Sequence, residues 1–571
     1  TSAALALLGG SVAGLVVWKW LGRKTIQKKM EEARRTRDEG MKKMAKAVQQ
    51  FREQDPSVQT DAILSLPLLE LTRRLQEGSL SPRTVLYTYL EKALEVTQQT
   101  NCLRHFIPEC EEQLQEVEQC KEKGLLYGVP VSIKDHIGHK GHLATCGLVQ
   151  CLGTLMEEDS VLVKVLKKQG AIPFAMTNVP QSLFSYECSN PIFGQTLNPL
   201  NPQRGPGGSS GGEGALIAGG GSILGIGSDM GGSIRLPSSF CGLCGLKPTA
   251  ERLRWVLALP FQPCSWEDET GSETAAANVL TEGVPFLSAA DQLQVFPPSH
   301  FLAVVYSSST PLRVGYYDTD GYFPLPPCMR RAVKETRRAL EAAGHQLVLF
   351  SPPRVPYAVT ELFLKTFFAD GGRAWLDVFT GDIVDPGLKS QVNSCKMPRL
   401  VKKLLALLLK PLVRLFTQFL LLLKLKKIAM ISTCRSVQEM WNHQHQIQVY
   451  RSQFITQWKE LQLDVVLCPV LGPAFTRGYP GKLLTAVSST MLYNLLNFPA
   501  GVVPVSTVTE ADEEELKLYK GCCDDPWDRT LKQAVSGAVG MPVAVQCVAL
   551  PWQDELCLRF MKEVETLSRD K

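Results

Sequence analysis

Two serine clusters set among glycines dominate residues 205–239, which read GPGGSSGGEGALIAGGGSILGIGSDMGGSIRLPSS and carry a lone arginine, Arg235. Glycine has no Cβ, so consecutive backbone amides can converge on an anion or on a developing oxyanion. DMGGSIR, residues 229–235, therefore reads as a serine nucleophile, Ser233, held beside the amides of Met230, Gly231, Gly232 and Ser233 itself. A flexible linker is disfavoured, because the apolar stretch ALIAGGGSILGIGS between the serine clusters wants burial. A phosphate loop is disfavoured as well, since neither GxxxxGK[ST] nor a well-placed GxGxxG is present.

A serine hydroxyl needs a base to attack near neutral pH. The chain has 8 histidines, and His136, His139 and His142 crowd one loop, which leaves a Ser-His-Asp arrangement open without indicating it. GGSSG fits GxSxG formally at Gly207, Ser209 and Gly211, but no strand precedes it as a nucleophile elbow requires. Lys134 is the stronger base. It ends the apolar run in GVPVSIKDHIG, where desolvation would lower its pKa enough to supply a neutral amine, although a lysine in isolation is usually a surface residue.

These residues need a scaffold. GVPVSIKD, SVLVKVLKKQGAIPFAMTN, LDVVLCPVL, FPAGVVPVSTV and GMPVAVQCVAL carry strand and turn signals that alternate with helical ones, and such short strands between amphipathic helices predict one large α/β domain with an internal sheet. Helical periodicity runs on both sides of Gly78, with Ser81 as N-cap and Pro82 as first residue of the second helix. With 571 residues, 44% of them hydrophobic, the chain has ample material for a core. A net charge of +5 without a basic stripe argues against nucleic acid as partner, and 17 cysteines without paired spacing read as reduced thiols rather than disulfides or a zinc site.

Residues 1–18 carry no charge and are followed by Lys19, Arg23, Lys24, Lys28 and Lys29. The basic residues come after the apolar run, and no clear small-residue cleavage site follows. A single-pass anchor over 1–21 is therefore favoured over a cleaved signal, with Trp18 and Trp20 at the interface. Residues 22–61 read as an exposed, charged juxtamembrane helical segment, and folding proper is expected from residue 62 to 571.

GVPVSIKDHIGHKGHLATCG, the glycine-serine block through CGLKPT, DVVLCPVLGPA, NFPAGVVPV and GMPVAVQCVALPWQDELCLRFM together resemble the amidase signature family, from about residue 62 to the C-terminus. The resemblance implies an α/β fold with a large central twisted mixed β-sheet surrounded by many helices, here preceded by a transmembrane helix. It places a Ser-cisSer-Lys triad on Ser233, Ser209 and Lys134. Ser233 would be acylated, and Lys134 would act through Ser209, whose preceding peptide bond is cis in the family. Ser210, Asp229 and Arg235 would support the loop, and the main chain of Leu183 would lie beside the substrate carbonyl. No metal or organic cofactor is implied.

Residues 401–430, VKKLLALLLKPLVRLFTQFLLLLKLKKIAM, read as two short membrane-interface helices hinged at Pro411 and bracketed by Lys402, Lys403, Lys424, Lys426 and Lys427. With the anchor, they fit a substrate drawn from the bilayer, and the resemblance then implies a membrane-bound serine hydrolase that cleaves long-chain fatty acid amides, primary amides and N-acylethanolamines. The resemblance also implies a homodimer, on endoplasmic reticulum or Golgi membrane, with the catalytic domain cytoplasmic. Two other readings stay open: an amidase of the same family acting on small polar amides, and a catalytically impaired membrane scaffold. Residues 250–305 depart from the family pattern, lacking its glycine-rich loop and GPMAR-like motif and showing poor periodicity.

Overall fold

Runs of valine, isoleucine and small residues form strands, as their periodicity predicts. The computed structural model describes residues 2–250, 252, 277–281, 303–397, 401, 434, 436–521 and 526–569, with side chains described except at 2–16, 18, 19, 277–281 and 303. Among the described residues thirteen strands follow in chain order: β1 (Leu103–Phe106), β2 (Pro130–Lys134), β3 (Ile172–Thr177), β4 (Ser189–Asn190), β5 (Gly194–Gln195), β6 (Leu224–Ser228), β7 (Cys244–Lys247), β8 (Ala277–Thr281), β9 (Arg313–Tyr316), β10 (Gln346–Leu349), β11 (Val465–Pro469), β12 (Ala500–Thr507) and β13 (Pro542–Ala549). Eleven of them make one sheet in the order β1-β3-β2-β6-β8-β7-β12-β13-β11-β9-β10, and β4 and β5 pair separately.

The sheet is mixed. β2 runs parallel to β3 and β6, and β9 runs parallel to β10 and β11, while β6–β8, β7–β8, β7–β12, β12–β13 and β11–β13 are antiparallel. β2, β3, β6 and β13 are buried along their whole length. That explains why they read as continuous apolar runs and not as alternating ones. Helices cover the sheet; Gly211–Ala218 packs on β6, β2 and β3, and Asp554–Arg569 packs on β12 and β13.

The break at Gly78 holds. Leu68–Glu77 ends on Gly78 at φ 76°, and Pro82–Thr100 starts with Ser81 Oγ accepting from the Thr84 amide at 3.0 Å. Two expectations change. The charged segment is part of one continuous helix, Ser2–Gln54, and it is not simply exposed. Met30, Met44, Val48 and Phe51 are buried, Arg34 donates to the Pro191 and Ile192 carbonyls, and Arg52 pairs with Glu91. Its apolar residues are sparse but fall on one helical stripe, so the high charge density hides a docking face. Secondly, the stretch 250–305 contributes a central strand: β8 completes the ladder between β6 and β7, pairing Leu224 with Thr281 and Cys244 with Thr281.

Among the described residues no helix is long and apolar enough to cross a membrane. Residues 402–430, read above as interface helices, lie outside the described residues.

Candidate active site

β2 and β6 are parallel neighbours, so their carboxyl ends lie side by side, and each ends in a residue with a polar head: Lys134 and Ser228. Open sheets place their sites at such carboxyl edges. Lys134 is fully buried, with Nζ 2.7 Å from Ser209 Oγ, 3.0 Å from Ser228 Oγ and 3.5 Å from the Ser228 carbonyl. Burial lowers its pKa to about 7, against the opposing pull of Asp229, Cys188, Cys146 and Glu213. Ser209 follows a cis Gly208–Ser209 peptide and precedes the helix Gly211–Ala218. A Cβ at Gly208 would lie 2.8 Å from the Ser185 carbonyl, so only glycine admits this packing.

After β6 the chain turns through Asp229–Ser233 into the helix Arg235–Cys241. The Ser210 amide donates to the Ser233 carbonyl at 3.0 Å, which joins the two serine clusters through their backbones. The Ser233 hydroxyl has no hydrogen-bond partner among the described residues, and no bond links it to Ser209 Oγ. Ser233 is half-buried, whereas Ser209 and Ser210 are buried.

Asp229 organises the turn. Its carboxylate accepts from the amides of Gly232 (2.7 Å), Ile234 (3.2 Å) and Arg235 (3.3 Å), and from the Arg235 guanidinium through Nε (2.9 Å) and Nη2 (2.8 Å). Both groups are fully buried. Burial alone would raise the Asp229 pKa; the charge and hydrogen bonds of Arg235, with Asn494, outweigh it and hold the carboxyl well below its usual range. Arg235 also donates to Gln546 Oε1 at 2.8 Å. The Gly232 amide is thus engaged within the turn, and the amides of Met230, Gly231 and Ser233 donate to no described protein group.

Gly232 sits at φ +126°, and a Cβ there would come within 2.9 Å of Thr490 Cβ. Gly232→Ala is therefore expected to destabilise the protein by about 1–3 kcal/mol, read as a lower urea midpoint at unchanged slope.

Leu183 lies in the short 3-10 turn Gln181–Leu183, where Ser182 and Leu183 both adopt φ 60°. Gln181 holds this turn by donating to the Ile383 carbonyl and accepting from the Asp385 amide, each near 2.8 Å and 2.7 Å respectively. Two of the three loop histidines are engaged elsewhere: His142 Nε2 lies 2.8 Å from Glu109, and His139 faces Asp159 at 3.9 Å.

Several groups were not singled out by sequence. Ser228 stands in the quoted GSD but gave no signal of its own. Glu213 is buried between Ser132 Oγ and Thr177 Oγ1, and burial pushes its carboxyl up to about 8. Gln546 is the polar residue in the apolar strand PVAVQCVA, and Asn494 and Thr490 lie in the wholly buried helix Ser488–Leu495; buried polar groups in apolar runs require partners, which is the signal that was available.

A buried lysine and serine pair under a glycine turn that offers a free serine hydroxyl and unengaged amides defines a site built for acyl transfer. The chain belongs to the amidase family: the family model named Amidase matches residues 84–558. It is 47% identical over 97% of its length to Fatty-acid amide hydrolase 1 of Sus scrofa, covering 95% of that protein. It is 38% identical to Fatty acid amide hydrolase 1 of Caenorhabditis elegans, with 98% of both chains covered. Vitamin D3 hydroxylase-associated protein of Gallus gallus is 55% identical over 71% of this chain and 89% of its own. The solved structure of a fatty acid amide hydrolase superposes with a TM-score of 0.73 at 22% identity, covering 95% of both chains.

Proposed function

We propose that this protein is a membrane-bound serine hydrolase that cleaves long-chain fatty acid amides, primary amides and N-acylethanolamines, to free fatty acid and amine. The observation that carries the chemistry is the fully buried Lys134 Nζ at 2.7 Å from Ser209 Oγ, beneath the turn that presents Ser233. The substrate class is supported by similarity to the pig and nematode proteins.

As a neutral amine, Lys134 directs its N–H bonds to Ser228 and keeps a lone pair for the Ser209 hydroxyl. Ser233 Oγ turns toward Ser209 and attacks the substrate carbonyl as its proton passes to Ser209, whose own proton passes to Lys134. The oxyanion is received by the unengaged amides of Gly231 and Ser233, with Met230 beside them; Gly232 serves the turn through Asp229. The relay then returns a proton to the leaving amine, and water hydrolyses the acyl-Ser233 ester by the same route. Ser210, Asp229 and Arg235 hold the turn, and Leu183 contributes main chain beside the carbonyl.

The apolar run at 1–21 anchors the chain, and residues 401–430 lie in the bilayer surface around the substrate entrance. Two copies associate, with the catalytic domain on the cytoplasmic side of endoplasmic reticulum or Golgi membrane; sedimentation in detergent and membrane fractionation read these two points. The central test incubates the full chain with phosphatidylcholine–phosphatidylserine vesicles carrying a long-chain primary fatty amide. The protein is expected to float with the vesicles and release fatty acid and ammonia in equal amounts. Flotation without turnover, alongside cleavage of a short polar amide, overturns the substrate class; turnover without flotation overturns the membrane assignment.

A further inference from the structure

The helix Ser488–Leu495, sequence SSTMLYNL, is buried at every position although five of its eight residues carry a polar group. Three of those polar groups pin it to the segments that follow β9 and β11. Ser488 Oγ donates to Asp320, Ser489 Oγ donates to the Val470 carbonyl at 2.7 Å, and the Tyr493 hydroxyl lies 2.9 Å from that of Tyr317. The remaining two, Thr490 and Asn494, are four residues apart and so share one helical face, and that face meets the turn at Ser233.

Thr490 Oγ1 donates to the Gly231 carbonyl at 2.7 Å, a shorter approach than the 3.0 Å to Val487 within its own helix. Asn494 Nδ2 donates to Asp229 twice, to the carbonyl at 2.8 Å and to Oδ1 at 3.0 Å, while Asn494 Oδ1 accepts from Arg235 Nη2. The orientation of the amide follows from chemistry, since a carbonyl can only accept and a guanidinium can only donate.

The Gly231 carbonyl and the Gly232 N–H belong to one planar peptide unit. Thr490 holds its oxygen end, and Asp229, itself held by Asn494, holds its nitrogen end at 2.7 Å. A plane fixed at both ends restricts the directions open to the amides that flank it, those of Gly231 and Ser233, to rotation about one residue on either side. These are the amides assigned above to the oxyanion. We infer that Thr490 and Asn494 are positioning residues that preorganise the oxyanion amides from outside the glycine-serine block. The inference rests on the acyl-transfer reading of the site for its kinetic consequence, but not for its structural one.

Steady-state hydrolysis of the fatty amide by the full chain, with amide hydrogen exchange on the peptide covering 229–235, tests it. Thr490→Val removes the hydroxyl at nearly constant volume and Thr490→Ser keeps it. In Thr490→Val and Asn494→Ala, kcat is expected to fall about 10- to 100-fold with KM little changed, as a displaced reacting geometry requires. Exchange at 229–235 should quicken in both variants while exchange elsewhere stays as in the parent. Thr490→Ser should recover most of both losses. If Asn494→Ala does not fold, because it strips partners from Arg235 and Asp229, Thr490→Val decides. A folded Thr490→Val with parental kcat and parental exchange overturns the inference, as does a loss confined to KM. Should the parent itself leave the fatty amide intact, the functional reading fails, and exchange alone judges the helix: faster exchange sustains its positioning role and unchanged exchange ends it.

Discussion

Ser233→Ala is expected to abolish hydrolysis, lowering kcat by about a millionfold, the size of effect seen when a serine nucleophile alone is removed. The fold should survive, because Ser233 Oγ makes no hydrogen bond among the described residues and the Asp229–Arg235 pair that shapes the turn does not use it. Substrate affinity should survive too, as the unengaged amides remain. The measurement is single-turnover hydrolysis with mass analysis of the quenched protein: the parent should gain one acyl group on the peptide carrying residue 233, and the variant none. A variant that kept more than about 1% of parental kcat would assign the nucleophile elsewhere, since no positioning effect accounts for so small a loss at a covalent centre.

The second large effect is expected at Lys134. With a pKa of about 7, the amine is protonated below neutrality and free above it. Thus kcat/KM should fall tenfold per pH unit below about 7 and level off above it. Lys134→Ala should lose about 100- to 10,000-fold at the plateau and lose the acid limb with it. Stability should respond over a different pH window. The unfolded chain holds the lysine proton up to its ordinary value of 10.5, the folded chain only up to about 7. Between those two values the unfolded state binds more protons, so this residue's contribution to stability is full above 10.5 and is lost as pH falls to about 7. Lys134→Met, apolar and similar in length, should therefore unfold at a higher temperature than the parent at pH 7 while being inactive. A pH-independent rate in the parent, or an unchanged profile in Lys134→Ala, would remove the lysine from the proton path.

Local chemistry carried most of what was legible in the sequence. A lysine closing an apolar run, a capped break at Gly78 and valine-rich strands each follow from neighbours a few residues away, and each appears where expected. Long-range pairing was not legible. Asn494 lies 265 residues from Asp229, and Gln546 lies 311 from Arg235; nothing in either local pattern names the partner. β8 escaped because five residues within an aperiodic stretch give too short a run to stand out. The docking of the N-terminal helix escaped for the opposite reason: its charges are conspicuous, and its four buried apolar side chains are spread over six turns.

That helix has a mechanical consequence. It continues without interruption from Ser2 to Gln54, and the first of its described side chains to be buried is Met30. The stretch of helix from Ser2 to Lys29 would measure about 42 Å. If the apolar run is embedded as proposed, no hinge separates it from the part clamped to the body by Arg34 and Arg52. The helix then acts as a strut rather than a tether. It fixes the height and tilt at which the catalytic body rides, so that its search for substrate is reduced to sliding in two dimensions.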